Sequence, residues 1–125
     1  MKISPPKDLA DREPLIFWAQ DSDVWYRSHQ IDQPPVFFGK TMSCRWDAPH
    51  GEYGVLYLAA DRYEAFMETI GRFELHSRLV GEARLRSKGI SVLRFNRELK
   101  LIDLVSSSGL TRIGAEASLS RACPV

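Results

Sequence analysis

The segment SCRWDAPHGEYGVLYLAADRYEAFMETIG, residues 43–71, contains a turn-rich loop, then an apolar run, then the start of a helix. In the loop, Asp and Pro initiate turns, and the two glycines can adopt positive φ. The run Val55–Ala59 has no polar alternation apart from Tyr57, which is typical of a strand covered on both faces. A strand that leads directly into a helix indicates a mixed fold.

The helix is predicted to begin at Asp61. Asp61 and Glu64 form a D-x-x-E capping pattern, in which Asp61 accepts from first-turn amides and Glu64 reaches back. Gly71 weakens the helix, so we expect it to end there or near residue 76. One helical face is formed by the apolar set Ala65, Phe66, Thr69, Ile70 and Phe73.

Strands are expected on both sides of this segment. DVWYRSH (23–29), ISVLRFN (90–96) and LKLIDL (99–104) have strand composition, and VFFG (36–39) is a short extended piece. RLVGEARL (78–85) is ambiguous between strand and helix, and SSSGL (106–110) between loop and helix start. Residues 1–22 are predicted to be a surface segment in which LIFWA (15–19) is an apolar plug, and residues 23–125 form one domain. The predicted class is α+β, built on a twisted sheet.

Composition excludes several classes of protein. The chain has 125 residues, 44% hydrophobic and 26% charged, which is ordinary for one globular domain. No apolar run reaches about 18 residues, so no membrane span is expected. The N-terminus lacks the apolar core of a signal peptide, and we therefore expect a cytoplasmic protein. Two cysteines and three scattered histidines make a metal site improbable.

Charge is unevenly distributed along the chain. Residues 1–71 carry 7 basic and 11 acidic side chains, whereas residues 72–100 carry 8 basic and 3 acidic ones. A basic stretch can mark a phosphate or nucleic-acid surface. The dispersed arginines favour the alternative, a solvated helix and turn face.

Common catalytic motifs are missing: GxxxxGK[ST], GxGxxG, GxSxG and HExxH do not occur. Four polar residues instead stand in rigid or unusual surroundings: Arg27 within an aromatic strand, Arg45 in the loop, Tyr57 in the apolar run, and Glu68 among apolar neighbours. Each has a structural alternative. Arg27 can be a surface residue, Arg45 can pair with Asp47, and Tyr57 can be a core tyrosine with a satisfied hydroxyl.

Taken in order, three segments resemble the RES-domain proteins, the toxins of bacterial RES–Xre toxin–antitoxin pairs: VWYRSH, VFFGKTMSCRWDAPHGEYGVLYLAADRYEAFMET and LKLIDLVSSSGLTRIGAEASL. The family pattern has an Arg after an aromatic strand, FG, R-[FW]-[DN]-x-P-x-G, a V-Y-x-A strand, and a helix with A-x-x-E-T. The corresponding positions here are Arg27, 38–39, 45–51, 56–59 and 65–69.

The resemblance implies an ADP-ribosyltransferase-like fold, with a mixed, split β-sheet and flanking helices. It also implies that NAD is consumed as a substrate, by hydrolysis, phosphorolysis or ADP-ribose transfer, with no metal or further cofactor. Glu68 matches the family glutamate, which would stabilise positive charge on the ribose. Arg27 and Arg45 match the arginines that would hold the pyrophosphate. Tyr57 matches a tyrosine that would stack on nicotinamide or bond the ribose.

The family is named for Arg, Glu and Ser, and its serine lies beyond an L-x-x-L-G-A-x-A-x-L segment. Here that segment is LTRIGAEASL (110–119), and only SRACPV follows. The resemblance therefore implies a domain whose C-terminal part is missing, with an exposed sheet edge, exposed apolar surface, and weak or no activity.

Two functions from different classes follow. The first is an NAD-consuming toxin, cytoplasmic and present as a homo-oligomer or in complex with an Xre-type antitoxin. The alternative is a non-catalytic module that binds such an antitoxin, or nucleic acid, through the arginine-rich residues 72–100. A steep dependence of DNA binding on salt would identify phosphate contacts and favour the second.

Overall fold

Short strands and short helices alternate in the computed structural model, which describes residues 5–40, 46–71 and 79–115. The strands are β1 (Ile16–Ala19), β2 (Trp25–Gln30), β3 (Lys88–Leu93) and β4 (Leu99–Ile102). The helices are α1 (Arg62–Phe66), a π-helical turn (Met67–Gly71), α2 (Glu82–Arg86) and α3 (Ser107–Ile113), and a 3-10 turn covers Leu9–Asp11.

The strands form two antiparallel pairs, β1 with β4 and β2 with β3. The predicted α+β class is confirmed at this level, with small antiparallel sheets and few helices. The chain divides into two compact units. In the described ranges, the first contains residues 5–23 and 95–115, and the second contains residues 24–40, 46–71 and 79–94.

In the first unit, the apolar residues that the sequence suggested as a plug form β1. The strand pairs with β4 in a register that runs from Ile16 opposite Ile102 to Ala19 opposite Leu99. Ala19 is fully buried, whereas Phe17 and Trp18 are 52% and 51% exposed. The two aromatic rings therefore lie largely at the surface, because a two-stranded ribbon cannot cover both of its faces.

Helix α3 begins where Asp103 and Ser106 satisfy the free backbone amides. The Ser106 hydroxyl accepts from the amide of Gly109 at 3.1 Å. Asp103 in turn accepts from the amides of Val105 and Ser106, both at 2.9 Å, and from the Ser106 hydroxyl at 2.6 Å. These bonds lower the pKa of Asp103 below its ordinary value. The sequence left SSSGL open between a loop and the start of a helix, and the structure shows a helix start, stabilised by side-chain capping.

Helix α3 ends in a Schellman motif at Gly114. The Gly114 backbone is left-handed, with φ of 71°. Its amide donates to the carbonyl of Thr111 at 3.1 Å, and the amide of Ala115 donates to that of Leu110 at 2.9 Å.

In the second unit, β2 pairs along one edge with β3, from Trp25 opposite Leu93 to Gln30 opposite Lys88. At its other edge, Tyr26 exchanges two backbone hydrogen bonds with Ala59, both 2.8 Å long. Val55 exchanges two bonds of 2.9 Å with Gly39 instead. The prediction of a regular strand over Val55–Ala59 is therefore wrong, since its two ends pair with different partners and no continuous ladder forms.

Helix α1 begins at the predicted cap residue, but among the described residues the Glu64 side chain does not reach back, so only the Asp61 half of the predicted capping pattern forms. The Asp61 side chain accepts from the backbone amide of Glu64 at 2.9 Å, and Ala65 is buried on the inner face. After Phe66 the helix widens into the π-turn, a geometry that is rare and frequently found at functional sites.

No helix in the described ranges is both long and apolar enough to cross a membrane. Residues 41–45, which include Arg45, lie outside those ranges, as do residues 116–119 of the LTRIGAEASL segment.

We predict that Gly109→Ala lowers the free energy of unfolding by about 1–3 kcal/mol, the usual cost of overpacking. A Cβ at this buried position would be driven into the backbone carbonyl of Asp103, which cannot move without disturbing the helix start. Urea denaturation measures the change. Gly81→Ala is the control, because nothing lies within 4 Å of its added Cβ, and it should change stability by less than about 0.5 kcal/mol. Equal midpoints for the two variants would contradict the prediction.

Candidate functional site

Arg27 reaches from the middle of β2 to two backbone carbonyls. Its Nη1 donates to the carbonyl oxygen of Tyr57 at 3.2 Å, and its Nη2 donates to that of Phe37 at 3.3 Å. Its Nε is buried and has no hydrogen-bond partner among the described residues. Burial also lowers the pKa of the guanidinium, although an arginine remains charged at any physiological pH. The structure thus holds a fixed cation between two chain segments that are distant in sequence.

Tyr57 and Asp47 form a second contact. The Tyr57 hydroxyl donates to Oδ1 of Asp47 at 2.9 Å, and Asp47 is only 8% exposed. Burial, and then the neighbouring carboxylate, raise the pKa of Tyr57 to about 12. The sequence suggested that Arg45 can pair with Asp47, but Arg45 lies outside the described residues, so that pairing stays a prediction beside the observed bond to Tyr57. The Tyr57 hydroxyl is therefore protonated at neutral pH and donates its hydrogen bond to a buried carboxylate.

Glu68 lies in the π-turn and is exposed. Its neighbour Thr69 fixes this turn to β2, because the Thr69 hydroxyl donates to the Ser28 hydroxyl at 2.7 Å. At the first residue of α1, the guanidinium carbon of Arg62 lies 5.7 Å from the centre of the Tyr26 ring. The helix is thus held on the strand by two separate side-chain contacts.

Alternation along β2 assigns the predicted site residues to faces. Side chains two apart in a strand share a face, so Tyr26 and Ser28 point toward the helix that carries Glu68, and Arg27 points to the opposite face. The structure brings Arg27 and Tyr57 together through the Tyr57 carbonyl. It places Glu68 on the other side of the same strand.

A pair that the sequence did not single out lies on the Arg27 face. Nε2 of His29 lies 2.6 Å from the Ser91 hydroxyl, and Nδ1 lies 2.8 Å from the carbonyl oxygen of Gln30. A carbonyl oxygen only accepts, so Nδ1 carries the proton and Nε2 of the neutral ring accepts from Ser91. Strand alternation by itself puts His29 on the same face as Arg27. It gave no sign of the register that brings Ser91 opposite.

Across the described ranges, no three His, Cys, Asp or Glu side chains come close enough together to hold a metal ion. In the first unit, a shallow depression of about 310 Å³ is lined by the strand residues Phe17, Leu101 and Ile102 and by residues 103–105. This depression is mainly apolar and contains none of the predicted site residues.

Comparison with known proteins identifies no relative: neither a protein-family model, nor a curated protein, nor a solved structure matches this chain. The resemblance to RES-domain proteins is therefore carried by the order of the sequence motifs alone.

The raised pKa of Tyr57 predicts a loss of stability in alkali. The folded-state pKa of about 12 exceeds the value of about 10 for a free tyrosine. The resulting stabilisation is therefore complete below about pH 10 and is lost as the pH rises toward about 12. Between these limits, the free energy of unfolding should fall more steeply in the wild type than in Tyr57→Phe. Tyr63→Phe, which alters a largely exposed ring, should keep the wild-type slope, and equal slopes for all three proteins would contradict the prediction.

Thr69→Val should lower the free energy of unfolding by about 1–3 kcal/mol. Valine keeps the shape of threonine but removes the hydroxyl that donates to Ser28, a side chain only 7% exposed. Thr69→Ser retains the hydroxyl and should recover most of the loss. Urea denaturation of the three proteins tests this, and an equally large loss in the serine variant would show that the hydrogen bond is not responsible.

Proposed function

We propose that this chain is a RES-like domain with an ADP-ribosyltransferase-like split sheet, and that it binds NAD and cleaves the bond between nicotinamide and ribose. The observation that carries the proposal is the fixed guanidinium of Arg27. A guanidinium has five N–H donors. Two of them bond the carbonyls of Phe37 and Tyr57, which orients the group, and the Nε donor is buried, so one N–H on each terminal nitrogen is left for a ligand.

An arginine oriented in this way suits a pyrophosphate. Its planar fork can form paired, charge-assisted hydrogen bonds to phosphate oxygens. Its anchors are backbone carbonyls rather than carboxylates, so its positive charge is not neutralised by them. Arg45, the second arginine of the family pattern, would add to this charge in the proposal.

Glu68 supplies the negative charge that bond cleavage needs. As the C–N bond breaks, its electron pair leaves with nicotinamide and positive charge develops on the ribose carbon. A carboxylate beside that carbon stabilises the charge, after which an acceptor adds to the carbon and loses its proton. Glu68 is exposed and therefore accessible to a ligand. In the proposal, the dinucleotide passes the edge of β2 with its pyrophosphate at Arg27 and its ribose at Glu68.

Tyr57 has a positioning role in this proposal. Its hydroxyl donates to the buried Asp47, so the ring is fixed and presents a face on which nicotinamide can stack. A cytoplasmic location and a complex with an Xre-type antitoxin, or a homo-oligomer, complete the proposal.

The test is NAD consumption by the purified chain, measured with and without phosphate to separate phosphorolysis from hydrolysis. Glu68→Gln removes the charge at constant shape and should reduce the rate by at least about a hundredfold. Glu64→Gln is the matched control on the same helix and should leave the rate unchanged, because the Glu64 side chain has no part in the proposed site.

Binding separates the role of Arg27 from that of Glu68. Arg27→Gln should weaken NAD binding by at least about tenfold, since a charge-assisted contact is lost, while Glu68→Gln should still bind. Calorimetry measures both, and circular dichroism confirms that the variants fold. Wild-type protein that neither binds nor consumes NAD would overturn the proposal.

A further inference from the structure

The pair formed by Ser91 and His29 has the geometry of an activated nucleophile. The Ser91 hydroxyl lies 2.6 Å from Nε2 of His29, within the range for a nucleophile and its base. The base is itself oriented, because Nδ1 donates to the Gln30 carbonyl at 2.8 Å. A nucleophile, a base and a group that orients the base are the three parts that such a site requires.

Strand pairing fixes this geometry. In the β2–β3 register Ser91 lies opposite Arg27, and His29 lies opposite Gly89. Ser91 and His29 are therefore diagonal neighbours on one sheet face, at a separation that a long side chain such as histidine can span. Both side chains belong to regular strands, so their relative position does not depend on a loop.

The pair is accessible and lies beside a cation. Ser91 and His29 are half-buried, and Gly89 presents no side chain to the imidazole ring. Arg27, directly opposite Ser91, extends from the same face of β2. A cation on this face favours negative charge that develops on a reacting oxygen.

We propose that Ser91 is a nucleophile and that His29 is its general base. The site would take the acyl group of a carboxylic ester onto Ser91 and then release it to water. This second chemistry differs from the proposed NAD reaction, in which neither Ser91 nor His29 takes part, and the two proposals share only the neighbouring cation Arg27. Two observations support this proposal: the two hydrogen bonds of His29, and the strand register that places Ser91 beside it.

The reaction balances without a cofactor. The Ser91 oxygen attacks the ester carbonyl carbon while its proton moves to Nε2 of His29, and the carbonyl oxygen becomes an oxyanion. The bond to the leaving alkoxide then breaks, and His29 returns the proton to it, which leaves an acyl-serine. Water, deprotonated by His29, attacks this ester and releases the carboxylic acid and the Ser91 hydroxyl.

The test uses a fluorophosphonate probe on the full chain. The serine oxygen replaces fluoride on phosphorus, so one stable adduct should form, and peptide mass spectrometry should locate it at Ser91. Ser91→Ala should abolish the adduct. His29→Gln should slow its formation by about a hundredfold, the usual contribution of a general base. Release of nitrophenol from p-nitrophenyl acetate should decrease in parallel in both variants.

Ser87→Ala is the matched control, because the Ser87 hydroxyl donates to the backbone carbonyl of Arg84 rather than to a histidine. This variant should be labelled at the wild-type rate. Circular dichroism establishes that each variant folds, and adduct mapping in the wild type needs no variant at all. A wild-type chain that is not labelled, an adduct at another serine, or equal labelling rates with and without His29 would each overturn the proposal.

Discussion

Strand β2 is hydrogen-bonded to β3 along one edge and to Ala59 at the other, and the candidate site depends on this double constraint. Backbone pairing fixes the direction of every side chain on the strand. Arg27 and His29 therefore share one face, and Tyr26 and Ser28 share the other. A slip of one residue in the register would exchange the two faces and separate each of these side chains from its partner.

The local elements were predictable from sequence because their causes are local. The Asp61 cap of α1 and the aromatic strand predicted over 23–29 follow from residue types at short spacing; the cap forms as predicted, and the strand forms over Trp25–Gln30. SSSGL was ambiguous, since the sequence showed the serine but not that Asp103 would support it by accepting from the Ser106 amide. One apolar run was misjudged: the 55–59 segment, predicted as a strand, bonds at its two ends to two separate partners.

The sequence did not predict which side chains of the site form hydrogen bonds with each other. The bonds from Tyr57 to Asp47, from Thr69 to Ser28, and from Ser91 to His29 join residues 10, 41 and 62 positions apart. Each depends on the register of strands or on the path of a loop, and neither is encoded in a short motif. The sequence did indicate that Arg27 and Tyr57 were unusual. That one would bond the backbone of the other became visible only in three dimensions.

The contact between Gly54 and Phe38 has a consequence for how this chain can diverge. A Cβ at position 54 would lie 2.6 Å from that of Phe38 and 2.9 Å from its carbonyl oxygen, next to the bridge between Gly39 and Val55. No other amino acid fits there without parting the two segments. Gly51, in contrast, has a positive φ and is surrounded by open space, so asparagine could replace it at small cost. Neutral substitutions in this loop should therefore be tolerated at position 51 but not at position 54, where selection acts on the close approach of the two backbones.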